Sequence, residues 1–242
     1  MYAQRRRMTP EQRRKLQRAR RRRVWFKRIR AVVLVALLTT GMIFLCRALD
    51  KNEQGGLVPT SDGKGGGTVQ AADSGDAYGI PIRTLYVDKS SPRRPGIKRQ
   101  IKYVVIHETG NAAAGTNAAN HSNYLTTNTD DETGWHYTVD DHEIYHHIPD
   151  DEVAWHAGDL QKPGGGNDGG IGVELCVNQD GNFEKTFDNG AKLAAKLLKQ
   201  YKLPISALKM HGDFTEKNCP EHIRDQGRWQ AFTQKVQQYM AQ

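Results

Sequence analysis

A mixed α/β domain, with a central mixed β-sheet flanked by helices, is what the greater part of this 242-residue chain predicts, and three observations carry that expectation. Tyr103-Val104-Val105-Ile106 is an unbroken, largely β-branched apolar run, the pattern of a strand covered on both faces. Ile171, Val173, Leu175 and Val177 alternate with Gly172, Glu174 and Cys176, so a second strand has two unlike faces. Phe187, Ala191, Ala194, Leu198 and Tyr201 recur at helical spacing, as do Trp229, Phe232, Val236 and Tyr239. Strands interleaved with helices imply helices packed on the faces of one sheet.

The formal charge of +8 is unevenly spread. Residues 1–30 hold 14 Lys and Arg against one Glu, whereas the remainder is mildly acidic. A nucleic-acid role for the main domain is therefore not expected. Within the tail, Thr9-Pro10-Glu11 has the order of an N-cap, an N1 proline and an early acid, the start of a basic helix. Membrane topology and attraction to anionic lipid account for such a helix, with nucleic-acid or partner binding as the other readings. Residues 31–49 are apolar or uncharged up to Cys46, with Arg47 placed to snorkel and Trp25 and Phe26 at the near interface. That length suits a transmembrane signal-anchor better than a cleaved signal, whose apolar core is shorter and precedes a small-residue cleavage site. The arginines then stay in the cytoplasm and the carboxyl-terminal domain lies outside a single-pass membrane anchor.

Residues 50–77 are rich in Gly, Ser and Asp and read as a flexible linker. The folded domain is expected over 78–242. Within it, 135–139 and 143–148 form a hairpin turning at Asp140-Asp141, and Leu203-Pro204 ends the first long helix. The three cysteines do not suggest a disulfide framework. Cys46 falls in the membrane segment, and Cys176, on a buried strand, suits an inert thiol. Cys219 is left without an obvious partner.

The chemistry concentrates around Met210-His211-Gly212-Asp213-Phe214-Thr215-Glu216-Lys217-Asn218-Cys219-Pro220. His211 and Cys219 stand eight positions apart in a polar loop that can bring imidazole and thiolate to one zinc ion. A third ligand is needed, and His107, delivered by the apolar strand into a polar turn, is the best candidate. Glu174 interrupts an otherwise apolar strand, which is costly unless the carboxylate is paired or catalytic. Lys217, two residues before Cys219, would hold an ammonium beside the ion, a sensible place if an oxyanion develops there. Trp135-His136 and Trp155-His156 each pair an indole with an imidazole, a combination that suits the walls of a polar groove, making Trp135, His136 and His156 candidate substrate contacts. Hydrogen bonds that orient the metal ligands, or a purely structural place in the core, are the other readings for His136 and His156, and His121, His142, His146, His147 and His222 are expected to be structural.

At these residues the chain resembles the zinc-dependent N-acetylmuramoyl-L-alanine amidases of the phage-lysozyme and peptidoglycan-recognition type. The resemblance rests on Val-Val-Ile-His-Glu-Thr, Gly-Trp-His-Tyr-Thr-Val-Asp-Asp, Ala-Trp-His-Ala-Gly, Ile-Gly-Val-Glu-Leu, and His-Gly-Asp with Lys-Asn-Cys-Pro, in the family's order. It implies one zinc per chain on His107, His211 and Cys219, with Glu174 as the catalytic acidic residue and Lys217 as the catalytic lysine. The implied substrate is peptidoglycan, cut between the lactyl group and the L-alanine of the stem peptide. Trp135 stands where other branches carry a catalytic tyrosine, and an indole cannot supply that hydroxyl. A membrane-anchored module that binds peptidoglycan without cutting it is the alternative function.

Overall fold

A computed structural model of the chain describes residues 72–128 and 131–242. The basic tail, the expected membrane segment at 31–49 and the linker up to residue 71 lie outside the described residues. Among the described residues no helix is long and apolar enough to cross a membrane.

Among the described residues seven strands form one sheet: β1 (Ala72–Ala77), β2 (Ile80–Thr84), β3 (Tyr103–Glu108), β4 (Tyr137–Val139), β5 (Ile144–His146), β6 (Gly170–Leu175) and β7 (Leu208–Met210), in the order β1-β2-β5-β4-β6-β3-β7. β3 lies parallel to both β6 and β7, and β4 is parallel to β6. The β4–β5 and β1–β2 pairs are antiparallel. The mixed sheet expected from the sequence is therefore present, with the uninterrupted apolar strand β3 between two parallel neighbours, where both faces are covered.

The helices are α1 (Ala118–Thr127), α2 (Gly166–Gly169), α3 (Phe183–Gln200), α4 (Glu221–Asp225) and α5 (Trp229–Met240). α3 starts where the Asn182 side chain accepts the Lys185 amide, an N-cap bond that satisfies one orphan donor of the first turn. Its apolar stripe, including Phe187, Ala191, Ala194 and Leu198, is buried in the main core with Ile171, Val173 and Leu175 of β6. α5 adds Phe232 and Val236 to that core, and Phe232 meets Phe187 edge to face at 5.0 Å between centroids. Each large apolar side chain buried there contributes roughly 1.5–3 kcal/mol.

The linker ends sooner than residue 77. β1, inside the stretch read as linker, pairs with β2 through a two-residue turn at Tyr78 and Gly79, both left-handed at φ 52° and 83°. Backbone hydrogen bonds build such a hairpin with little apolar content, so composition alone hid it. The Tyr78 hydroxyl donates to the Tyr239 carbonyl at 2.6 Å, which holds a non-glycine residue in that conformation. The expected β4–β5 hairpin is present but shorter. Its turn is set by Asp140, whose Oδ1 accepts the His142 and Glu143 amides, each at 2.8 Å. Asp140 Oδ2 accepts the Ala118 amide at 3.0 Å and so also fixes the start of α1.

Candidate functional site

β3, β6 and β7 end side by side, and the chemistry sits at that end of the sheet. His107 of β3 and Glu174 of β6 are register partners across the parallel pair. β7 hands the chain to His211, and the loop that follows returns so that the Gly212 amide donates to the Cys219 carbonyl at 3.0 Å. His107, His211 and Cys219 are all buried, and one ligand atom from each lies within 4.8 Å of the others. His107 Nδ1 is 3.9 Å from Cys219 Sγ and 3.8 Å from Glu174 Oε1. His211 Nδ1 and Glu174 Oε2 are buried with no hydrogen-bond partner among the described residues. Buried polar atoms are rarely left so unless something else binds there.

The electrostatics suit a cation. Burial, with His156 and His211 nearby, holds His107 well below the ordinary imidazole value. Burial, then the charge of Lys217, lowers His211 to about 4. Both rings are thus neutral near pH 7, the form that donates a lone pair. Burial pushes the Cys219 thiol up to about 12, and the Glu174 carboxylate adds to that; a Glu108 backbone hydrogen bond opposes it. Glu174 is raised to about 7 by burial, against the lowering influence of Lys217. Lys217 itself is exposed on the loop, close enough for its charge to act on both histidines and on Glu174.

Of the candidate substrate contacts, Trp135 and His136 are both buried. Trp135 is buried with Val87, Leu125, Ile148 and Ala154, and its indole N–H donates to Thr138 Oγ1 at 2.7 Å. His136 is wholly buried; its Nδ1 accepts the Gly172 amide at 3.0 Å and its Nε2 lies 2.9 Å from the Glu152 carbonyl. His156 is also buried, but its Nδ1 lies 3.0 Å from Nε2 of His107, which ties it to the metal-capable cluster rather than to solvent. Cys176 is buried and its thiol is pushed far up by burial, as an inert core thiol should be.

Glu108 escaped the sequence reading. Its buried carboxylate accepts the amides of His222 at 2.8 Å and Ile223 at 3.0 Å, and meets His222 Nδ1 at 2.7 Å. It thereby pins the first turn of α4 directly after Cys219-Pro220 and fixes where the thiol stands. The only signal was an acidic residue immediately after His107 at the end of an apolar strand. Asn167 was also missed: its Oδ1 accepts the amides of His156 and Ala157 at 2.9 and 2.7 Å.

Residues 97–222, which include all five of His107, Glu174, His211, Lys217 and Cys219, match a family model described as N-acetylmuramoyl-L-alanine amidase. The N-acetylmuramoyl-L-alanine amidase CwlH of Bacillus subtilis (strain 168) is 37% identical over 153 residues, 63% of this chain and 60% of that protein. The amidase XlyA of the same organism is 38% identical over 147 residues, 61% of this chain and 48% of that protein. The chain thus spans 60% and 48% of these relatives' own lengths. The solved catalytic domain of XlyA superposes with a TM-score of 0.61 at 36% identity, covering 65% of this chain and 99% of that domain.

Proposed function

This chain belongs to the N-acetylmuramoyl-L-alanine amidase family, and from that premise we propose that it is a zinc-dependent peptidoglycan amidase. The bond cut is the amide between the lactyl group of N-acetylmuramic acid and the L-alanine of the stem peptide. One observation carries the reading: two neutral imidazoles and a thiol converge within 4.8 Å beside a half-buried glutamate whose Oε2 is buried with no partner among the described residues.

The donor set fits zinc, which takes nitrogen and sulfur ligands and in hydrolases keeps one of four positions open. His107, His211 and Cys219 would hold one ion per chain. When bound, zinc supplies a Lewis acid that brings the pKa of water toward neutrality. Glu174 accepts the proton of the attacking water at its free oxygen and returns it to the departing amine of L-alanine. Burial, which disfavours its charged form, suits the carboxylate to take up a proton and hand it on. Lys217, exposed and without a side-chain hydrogen bond among the described residues, stabilises the oxyanion that forms on the lactyl carbonyl. Atoms balance as water plus amide giving a carboxylic acid on the glycan and a free amine on the peptide.

The placement of this chemistry follows from the amino-terminal sequence. Residues 1–30 stay in the cytoplasm, 31–49 cross the membrane, and the domain reaches peptidoglycan from the outer side on its linker. Protease added to intact spheroplasts is expected to remove the domain and spare the tail; a severed tail beside an intact domain would reverse the orientation.

Digestion of purified peptidoglycan by the full chain tests the activity. Newly exposed amino termini should be L-alanine. Wall that sediments with the protein but gains no amino termini would make the domain a binding module, and new reducing sugar ends would make it a glycosidase.

A further inference from the structure

We infer that His156 is a positioning residue that fixes the tautomer in which His107 presents Nδ1 to the metal; the inference rests on the zinc reading above. The starting point is the Gly170 carbonyl, which can only accept. His156 Nε2 lies 3.0 Å from it, so that nitrogen carries the hydrogen. In a neutral ring the other nitrogen is then an acceptor. His156 Nδ1 faces His107 Nε2 at 3.0 Å, so His107 Nε2 in turn carries a hydrogen and donates it. That leaves the lone pair of His107 on Nδ1, the nitrogen 3.9 Å from Cys219 Sγ and 3.8 Å from Glu174 Oε1. A backbone oxygen thus dictates, through one intervening ring, which nitrogen of the ligand is free.

The relay works only if the His156 ring stays in place, and the fold seats both the ring and the backbone that carries it. On β6, Gly172 leaves the space the ring occupies: a Cβ there would stand 2.6 Å from His156 Cγ and 2.9 Å from Nδ1. On the other side Asn167 Oδ1 takes the His156 backbone amide at 2.9 Å. The acceptor is fixed as well, because Arg99 Nη2 donates to the same Gly170 oxygen at 3.0 Å. Outer partners of this kind set ligand orientation and basicity, and losing one typically weakens metal binding by roughly 10–100-fold.

Two measurements on the full chain test this. In the metal-free protein labelled with 15N-histidine, two-bond 1H–15N correlations should show His107 and His156 as neutral rings protonated at Nε2. A His107 ring protonated at Nδ1 would overturn the relay. Zinc affinity, read by competition with a chromogenic chelator, should fall roughly 10–100-fold in His156→Phe, which fills the cradle without an acceptor. His156→Asn, whose amide oxygen stands near the place of Nδ1, should recover most of that loss. Undiminished affinity in His156→Phe, or equal loss in both variants, would overturn the proposal. If His156→Phe does not fold, the tautomer spectrum of the unmodified chain decides. If the unmodified chain binds no zinc, the amidase reading fails while the same spectrum still tests the relay.

Discussion

β6 has two faces, and they are built on different physics. Toward α3 it presents Ile171, Val173 and Leu175, all fully buried in the main core. Toward the site it presents Gly170, Gly172 and Glu174: a carbonyl that orients His156, a gap that seats its ring, and a carboxylate beside His107. The apolar face stabilises through area removed from water, which is non-directional and tolerates repacking. The polar face holds groups at stated distances by hydrogen bonds, and it leaves a buried carboxyl in a setting that disfavours its charge. One strand therefore separates stability from chemistry across a single backbone.

Substitutions can break that separation or sharpen it. The largest effect is expected on the polar face at Cys219→Ser, because an alcohol stays protonated where a thiol yields a thiolate. Zinc content, measured by atomic absorption, should drop by most of its value and hydrolysis should fall to background. Cys176→Ser should keep the zinc. Equal zinc in Cys219→Ser and the unmodified chain would remove Cys219 from the ligand set.

On the apolar face the expectation inverts. Ile171→Ala should cost about 2–5 kcal/mol of stability, read from denaturant midpoints, while the folded fraction still binds one zinc per chain. A loss of zinc there, with stability intact, would mean that the two faces are coupled.

A smaller, pH-dependent effect follows from Glu174 in the metal-free protein. Its folded value of about 7 lies above the ordinary carboxyl value of 4.5, so the folded chain keeps a proton that the unfolded chain releases. That contribution to stability is fully present below pH 4.5 and is lost as pH rises through about 7. Metal-free Glu174→Gln should therefore melt at a higher temperature than the unmodified chain at pH 8, with the gain shrinking toward pH 4. A gain independent of pH would show that the carboxyl is not held in this way.

The smallest effect on chemistry is expected at Trp135→Phe. The lost indole bond to Thr138 and the unfilled volume should lower stability by about 1–2 kcal/mol. Peptide release from peptidoglycan should stay near that of the unmodified chain, since no proton passes through the indole. A large fall in turnover without a fall in stability would return Trp135 to the site.

The two faces also differed in how much the sequence disclosed. Alternation along 171–177 and the helical stripe of Phe187, Ala191, Ala194 and Leu198 marked the apolar face directly, because burial leaves a period in the chain. His107, Glu174, His211 and Cys219 were recognisable by residue type, and the structure brings the four together. The supports were not legible. Glu108 and Asn167 act through backbone amides of residues 222, 223, 156 and 157, and no local pattern records a bond between a side chain and a distant amide. Trp135 and His136 were open in the sequence for the complementary reason: indole and imidazole suit a groove and a core equally, and the packing shows both side chains buried. β1 was hidden because an edge hairpin is held by its backbone, which composition does not show.

Glu174→Gln in the zinc-loaded full chain separates holding the metal from moving the proton more directly than any other variant. The amide keeps the shape and the hydrogen-bonding capacity of the side chain but cannot act as a base. The variant should retain one zinc per chain and still sediment with peptidoglycan, while release of peptides with amino-terminal L-alanine slows by roughly 10²–10⁴-fold. Loss of zinc would make Glu174 part of the metal's support, and near-normal release with zinc in place would contradict its role as the proton acceptor.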